Sequence, residues 1–277
     1  MAQAAPHPRG SWLIPSTLAV EDEAVVLARA AERDVVFLGE SHDDALVHRW
    51  QLRVAAALRR SRPDVALGFE MFPRQVQPVL DRWVAGEFNA EQFLAAVDWP
   101  TVWGFDAALY LPLFEFCRDH HLPMVALNCR RELVGAVGRA GWDAVPPEHR
   151  DGLTPPAPVS AAYRRYLFAA TKGGAMGGRP GAASPIDPAF DRVVRAQACW
   201  DRAFACNIAA FQSRFARPPL VVGIVGRGHV EYGFGVPHQL ADLGLTRTAV
   251  LLPTRDAEHD PSAIAGVADA LFRLEEG

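Results

Sequence analysis

The chain lacks any run of about 18 consecutive apolar residues, the length that a transmembrane helix needs, so we expect no membrane-spanning segment. The N-terminal stretch MAQAAPHPRGSWLIPSTLAV has no basic segment followed by an apolar one. It also has no cysteine, so neither a signal peptide nor a site of lipid attachment is evident. The sequence as it stands therefore favours a cytoplasmic protein.

An excess of basic residues is also absent, since the formal net charge is −4. Proteins that bind nucleic acids usually carry a basic excess or patch, so we expect no nucleic-acid partner. Cysteine is scarce, and no pair has the C-x-x-C spacing of a zinc ribbon or redox site. The sequence predicts four reduced, mostly buried thiols at Cys117, Cys129, Cys199 and Cys206.

What the chain does contain is enough apolar sequence for a sizeable core, because half of its 277 residues are hydrophobic. Short runs rich in Val, Leu and Ile recur without alternation of polar and apolar residues. Such runs are typical of strands that are buried on both faces of a parallel sheet. They predict strands at residues 35–39, 65–70, 123–128, 220–226 and 248–253.

Segments with helical spacing lie between these runs, at residues 21–32, 44–60, 74–85, 90–97 and 107–121. The alternation of strands and helices predicts an α/β fold, with a mostly parallel sheet flanked by helices.

One region interrupts this alternation, because residues 138–216 show no strand pattern. The stretch DAVPPEHRDGLTPPAPVS is rich in proline, and TKGGAMGGRPGAASP (residues 171–185) is rich in glycine, so both predict loops. Helices are predicted at residues 159–170 and 188–215, the second with Asp187 as its N-cap and Pro188 in its first turn. We therefore expect an α/β core of residues 1–137 and 217–277 and a mainly helical insert or lid of residues 138–216.

Polar side chains follow several of the predicted strands. The segment VVFLGESHDD ends in Glu40 and His42, VALGFEMF ends in Glu70, and VVGIVGRGHVEYGFG contains Arg227 and His229. The third strand ends in Asn128, with Arg130 and Arg131 just beyond it. Because the carboxyl ends of parallel strands share one edge of a sheet, these residues are predicted to meet in one pocket.

Each member of this set also has a structural interpretation. Glu40 could cap the next helix or pair with an arginine, and His42 could be a hydrogen-bonded structural histidine. A buried carboxylate without a partner costs several kcal/mol, so each must be paired, hydrogen-bonded or metal-bound. The GRGH segment has no complete phosphate-binding fingerprint, and a G-x-S-x-G nucleophile motif is absent.

The predicted long helix contains RAQACWDRAFACNIAAF, in which Gln197 and Asp201 share a face and Arg202 lies beside it. These residues either form a solvated face or look into the strand-end pocket. Aromatic residues also cluster in the sequence, at Trp99, Trp103, Phe105, Tyr110, Tyr163 and Tyr166. Core packing is the default interpretation of this cluster, and contact with a flat apolar ligand is the alternative.

These motifs together resemble the ChaN-type haem-binding family, often described as iron-regulated lipoproteins. The segments VVFLGESHDD, VALGFEMFPRQVQPVLDRW, WPTVWGFDAALYLPLFEFC, LPMVALNCRRELV, AQACWDRAFA and VVGIVGRGHVEYGFGVP occur in that order, within roughly residues 30 to 240. The family is similar in turn to the wider erythromycin-esterase and TIKI/TraB group. Relatives of this kind are often anchored to membranes, whereas this chain shows no lipoprotein signal.

The resemblance implies an α/β core with a smaller helical part, haem as cofactor, a role in iron acquisition and a homodimer. Carried over residue by residue, it places the polar site at Glu40, His42, Glu70 and His229. It places Gln197, Asp201 and Arg202 nearby as cofactor-binding candidates, and the strand ends add Asn128, Arg227 and, beside His229, Tyr232. Tyr232 is our choice of axial ligand, although tyrosine, histidine, cysteine and methionine all ligate haem iron.

Three functions remain open at this point. The resemblance favours a protein that binds or handles haem. The residue chemistry by itself favours a hydrolase, in which a glutamate takes a proton from water while a histidine or a divalent metal stabilises the developing charge. In that interpretation Glu40, His42, Glu70 and His229 are catalytic or hold the metal, which could be zinc, manganese or iron. The third function is a non-catalytic binding protein, in which the polar cluster is structural.

Overall fold

A single eight-stranded sheet forms the centre of the computed structural model, which describes residues 7–175 and 181–275. The strands are β1 (Trp12–Ile14), β2 (Ala19–Glu21), β3 (Val35–Glu40), β4 (Val65–Pro73), β5 (Met124–Asn128), β6 (Leu220–Gly226), β7 (Thr248–Thr254) and β8 (Ala270–Arg273). Their order across the sheet is β2-β1-β8-β7-β3-β6-β4-β5. Every pairing from β8 to β5 is parallel, and β1 pairs antiparallel with both β2 and β8. The predicted α/β fold with a mostly parallel sheet is confirmed.

Helices cover both faces of this sheet. They are α1 (Glu23–Ala31), α2 (Ala45–Ser61), α3 (Gln77–Val84), α4 (Ala90–Ala96), α5 (Trp99–Val102), α6 (Leu111–Asp119), α7 (Arg131–Ala140), α8 (Ala161–Ala170), α9 (Asp191–Gln212), α10 (Val236–Asp242) and α11 (Pro261–Ile264). No helix in the described ranges is both long and apolar enough to cross a bilayer.

The core has two layers because successive side chains of a strand point to opposite faces. In β3, Val36 and Leu38 pack with helices α1, α2 and α6, whereas Val35 and Phe37 pack with helices α7, α9 and α10. All six residues of β3 are buried, which explains why its sequence shows no alternation of polar and apolar residues.

Strands β1, β2 and β8 were not predicted from the sequence. They contain only three or four residues each and lie at one end of the sheet. Runs this short carry too little periodicity to be separated from loop sequence. Helices α7 and α10 were also not predicted, although both border the carboxyl edge of the sheet.

The long helix begins slightly later than expected. The side chain of Asp187 accepts a hydrogen bond from the backbone of Ala189 and caps a short 3-10 turn, Pro188–Phe190, after which α9 runs to Gln212. Helix α9 packs against β5, α7 and α10 and belongs to one layer of the core. The division into a core and a helical insert stays a prediction, although the described part of residues 138–216 contains no strand.

Two sequence interpretations extend beyond the described residues. The glycine-rich loop expected at residues 171–185 includes residues 176–180, which lie outside them. The interpretation of the N-terminal stretch likewise includes residues 1–6. All four cysteines are described, and all four are free thiols.

Candidate functional site

Strands β3, β6, β4 and β5 are neighbours in the sheet, and their carboxyl ends open into one cavity of about 700 Å³. This volume is in the usual range for small-molecule sites. We call it the edge cavity. The residues that line it include His42, Glu70, Met71, Val102, Trp103, Phe105, Asn128, Cys129, Arg130, Arg131, Trp200, Phe204 and His229.

The ring of His42 is fixed at the floor of the edge cavity by Glu40. The Nδ1 atom of His42 lies 2.7 Å from Oε1 of Glu40, and because a carboxylate only accepts, Nδ1 donates the proton. Glu40 is buried, and its other hydrogen bonds come from the hydroxyl of Tyr110 (2.9 Å) and the amide of Gln51 (3.1 Å). This arrangement leaves Nε2 of His42 as the nitrogen that is available to a ligand.

A second histidine is held in the same way from the opposite side. The Nδ1 atom of His229 lies 2.6 Å from Oδ1 of Asp201, a carboxylate on α9 with no exposed surface. The hydroxyl of Tyr163 donates to Oδ2 of Asp201 over 2.9 Å, and the side-chain amide of Gln197 lies 2.8 Å from Nδ1 of His229. The edge cavity therefore contains two histidine–carboxylate pairs.

Glu70 lies between these two pairs. Its Oε2 accepts a hydrogen bond from the backbone N–H of Gly226, and its Oε1 lies 3.8 Å from Nε2 of His42. Burial raises the pKa of Glu70 above its ordinary value, although both His229 and His42 act to lower it. Glu70 is thus a buried carboxyl group that holds a proton more readily than an exposed one.

The two histidines also retain protons more strongly than usual. Burial by itself lowers the pKa of His42, but the hydrogen bond to Glu40 and the charge of Glu70 outweigh it and raise the pKa above 6.5. Burial likewise lowers the pKa of His229, and the hydrogen bond and charge of Asp201 outweigh it, so that this pKa is also raised. Opposite charges nearby favour the protonated imidazolium.

The walls of the edge cavity are aromatic. The ring of His42 lies 4.8 Å from Trp103 and 5.3 Å from Phe105, measured between centroids. On the other side, Phe204 lies 5.0 Å and Trp200 lies 6.4 Å from the ring of His229. Flat apolar surfaces on both sides of the polar floor suit a flat apolar ligand.

Two arginines stand at the rim, where β5 passes into α7. Arg130 pairs with Asp151, whose Oδ1 lies 2.7 Å from Nε of Arg130, and Arg131 donates to the carbonyl oxygen of Val102 over 2.8 Å. No carboxylate within the described ranges forms an ion pair with Arg131. The edge cavity therefore has three carboxyl groups facing two imidazoles at its floor, whereas its rim carries Arg131, the paired Arg130 and Glu132.

Most of the predicted site residues meet here, but three do not. Arg202 donates to Thr154 and to Asp242 at 2.9 and 2.7 Å, on the far side of α9. Consecutive residues of an α-helix point about 100° apart, so Asp201 can reach His229 only if Arg202 faces elsewhere. The expectation that Arg202 joins the pocket is corrected.

Arg227 and Tyr232 also point away from the edge cavity. Arg227 pairs with Glu231 and borders a smaller polar cavity beside Ser41. The hydroxyl of Tyr232 donates to the carbonyl oxygen of Ala263 over 2.8 Å, and Tyr232 is not among the described residues that line the edge cavity. Asn128 does line it, and its amide donates to the carbonyl oxygen of Glu70 over 2.7 Å.

The residues predicted to hold a metal do not form a recognisable metal site. No three histidine, cysteine, aspartate or glutamate side chains in residues 7–175 and 181–275 are arranged to bind an ion. Glu40 in particular is not free to bind an ion, because both of its carboxylate oxygens already accept hydrogen bonds within the protein. A divalent metal therefore fits this site poorly as it stands.

Sequence reasoning missed the groups that orient the two pairs. Tyr110 and Tyr163 were assigned to aromatic packing, and Gln51 was not noticed at all. Gln51 and His48 are buried polar residues on the face of α2 that otherwise carries Val47, Val54 and Leu58. A polar residue on an apolar helical face was the available indication, because it needs a buried partner.

The comparisons with known proteins agree with this fold. The family model described as "Haem-binding uptake, Tiki superfamily, ChaN" matches residues 26–240. No curated protein sequence matches the chain. A structure described as cofacial heme binding to ChaN of Campylobacter jejuni is similar, with a TM-score of 0.69, 16% identity, and coverage of 96% of this chain and 97% of that one.

Two further structures share the fold at lower similarity. The type III effector HopBA1 has a TM-score of 0.51 and 12% identity, covering 99% of this chain and 98% of its own. A mutant of the erythromycin esterase EreC has a TM-score of 0.51 and 10% identity, covering 87% of this chain and 76% of its own. At these identities the likeness concerns the fold alone.

Proposed function

Because this chain belongs to the ChaN family of haem-binding uptake proteins in the Tiki superfamily, we propose that it binds haem in the edge cavity. The observation that carries the proposal is the state of His42. Its Nδ1 donates to Glu40, which leaves the lone pair of Nε2 free on the ligand side. A carboxylate behind a histidine is the usual arrangement that orients an imidazole toward a metal centre.

The charge distribution supports the same ligand. Ferric haem has a positive centre, an apolar macrocycle and two propionates at its edge. The acidic floor around Glu70 suits the centre, the faces of Trp103 and Phe204 suit the macrocycle, and Arg131 at the rim suits a propionate. A ligand with an anionic centre would face the carboxyl groups of the floor, and a cationic group at its edge would face Arg131.

Haem would supply an iron that takes one or two axial ligands. In this proposal His42 would hold the iron, since 31% of its side chain is exposed, whereas only 15% of the side chain of His229 is. His229 would then remain a nearby hydrogen-bonding group held by Asp201. Tyr232, our choice from the sequence, is not proposed, because its hydroxyl donates to the carbonyl oxygen of Ala263 outside the edge cavity.

Titration of the purified protein with ferric haem tests the proposal. We expect a Soret band that saturates with haem and that weakens or shifts in a His42→Ala variant. A His120→Ala variant is the matched control, because His120 is exposed at the end of α6, away from the edge cavity. A wild-type spectrum that stays the sum of protein and free haem would refute haem binding, and a band that is unchanged in His42→Ala would exclude His42 as the residue that holds the iron.

A role in haem or iron handling is part of the proposal and rests on the family description alone. Such a role requires that bound haem be released to another protein. Stopped-flow transfer to apomyoglobin measures this release, and we expect transfer within seconds to minutes rather than days. Sedimentation with and without haem tests the homodimer that the resemblance implies.

A second candidate function is metal-independent hydrolysis, favoured by the position of Glu70 between the two histidine–carboxylate pairs. Glu70 in its ionised form could accept a proton from water, while protonated His229 stabilises an oxyanion. Hydrolysis of p-nitrophenyl esters in the presence of EDTA, abolished in Glu70→Gln, would support it. A wild-type rate equal to that of Glu70→Gln would exclude it.

A further inference from the structure

A second cavity lies beside the edge cavity, along the outer side of α7. We call it the α7 groove, and its volume is about 710 Å³, similar to that of the edge cavity. Its floor is formed by Leu133 and Val145, both nearly fully buried, and its sides by Ala136, Ala140 and Pro146. This lining is apolar and consists of small or rigid side chains, so the space is not filled by the protein itself.

The groove is bordered by charged side chains of both signs. Arg139 and Arg130 border it together with His149, and Glu132 is the acidic residue among those that line it. Arg130 is already paired with Asp151. Arg139, by contrast, forms no ion pair with any carboxylate in the part of the chain that the structure describes. An arginine without an acidic partner beside an apolar groove favours an anionic group on the occupant.

Arg130 and Glu132 line both cavities, so they form the partition between them. The two spaces nevertheless differ in chemistry. The edge cavity has an acidic floor with titratable histidines and aromatic walls, whereas the α7 groove has aliphatic walls and a basic edge. A flat ligand with a cationic centre suits the first, and a flexible aliphatic ligand with one anionic end suits the second.

We propose that the α7 groove binds an amphipathic monocarboxylate, such as a medium-chain fatty acid. The carboxylate pairs with Arg139, and the alkyl chain lies over Leu133, Ala136 and Val145. Burial of the alkyl chain supplies the affinity, because each methylene group removed from water stabilises the complex. The ion pair at the exposed end supplies the preference for an acid over a neutral molecule. This site is independent of haem binding in the edge cavity.

The test uses the full chain without haem and a fluorescent fatty acid, dansylamino-undecanoic acid, displaced by decanoate. We expect saturable probe binding, which weakens about threefold in Arg139→Gln, the size of effect that loss of one exposed ion pair produces. Arg60→Gln is the matched control, since Arg60 is an exposed arginine at the end of α2. Decanol, which has the same chain without the charge, should displace the probe less well than decanoate.

A second variant tests the location. Ala136→Trp fills the groove from a partly exposed helical position and should abolish probe binding, while a melting curve checks that the protein still folds. His42→Ala should leave probe binding unchanged, which separates this site from the edge cavity. The proposal is overturned if the probe does not bind, if Ala136→Trp folds and still binds it, or if decanol displaces as well as decanoate. A change of oligomeric state in Ala136→Trp would assign the groove to a second copy of the chain instead.

Discussion

Gly226 lies directly against His42, so that a Cβ atom at position 226 would stand 2.9 Å from Cε1 of the imidazole. The same Cβ would lie 3.3 Å from Oε2 of Glu70, which accepts a hydrogen bond from the backbone of Gly226. The absence of a side chain here therefore decides how close a histidine and a carboxyl group from two other strands can approach β6. The last residue of β6 is part of the floor of the site.

Replacing Gly226 by alanine should therefore displace His42 and Glu70 from one another. We expect a loss of stability of about 1–3 kcal/mol, as for overpacking elsewhere in protein interiors, and a weaker Soret band. Gly228→Ala is the matched control, because a Cβ there would meet no atom within 4 Å. Urea denaturation and haem titration of the two variants measure both effects. Equal behaviour of the two variants would contradict the close approach.

Haem binding should weaken as the pH falls, because an imidazole binds iron only in its neutral form. The pKa of His42 is raised above 6.5, since Glu40 and Glu70 outweigh the effect of burial. The apparent affinity should thus begin to fall at a pH above that expected for an unperturbed histidine. Titrations at several pH values measure this midpoint. In Glu70→Gln the midpoint should shift to lower pH, and an unchanged midpoint would show that another group controls binding.

The pair of Asp201 and His229 should stabilise the folded protein most at mildly acidic pH. The pKa of His229 is raised in the folded state, so the folded protein holds this proton more tightly than the unfolded chain. The stabilisation is fully present below about pH 6.5 and is lost as the pH rises through the folded-state pKa. The difference in free energy of unfolding between wild type and Asp201→Asn should shrink as the pH is raised from about 6. A difference that grows with pH would give the opposite sign and refute the pairing.

Arg131 should recognise a propionate if haem occupies the edge cavity. We expect Arg131→Gln to weaken the binding of haem by a factor of about two to five, in line with the loss of one exposed ion pair. The binding of haem dimethyl ester, which has no propionate charge, should not change. Arg60→Gln serves as the control, and spectral titration gives both affinities. Equal losses for haem and for its ester would indicate that Arg131 acts through packing rather than charge.

The five longest strands were predictable from the sequence for a physical reason. A strand buried on both faces must be apolar at nearly every position, and the run from Val35 to Gly39 contains no polar residue. The polar residues that follow these runs are equally visible, because a parallel sheet gathers its strand ends at one edge. Glu40, His42, Glu70 and His229 could therefore be assigned to one pocket from the sequence alone.

The orientation of side chains around this pocket could not be predicted in the same way. Asp201 and Arg202 are neighbours in sequence, yet one is buried against His229 and the other against Asp242. The sequence suggests only a packing role for Tyr110 and Tyr163. In the structure their hydroxyls donate hydrogen bonds to the buried carboxylates of Glu40 and Asp201. These contacts join residues between 28 and 70 positions apart, and local sequence patterns contain no information about such distances.

The sequence by itself thus determined the fold class, the edge of the sheet at which a site forms and the residue types that meet there. Hydrophobic periodicity and the residues at strand ends are local properties, so they can be predicted from a single sequence. Tertiary structure alone decided which nitrogen of each histidine is free, which arginines border a cavity and that a groove lies along α7. These features depend on how helices rotate and pack against the sheet, which is settled by the total burial and hydrogen bonding of the whole molecule.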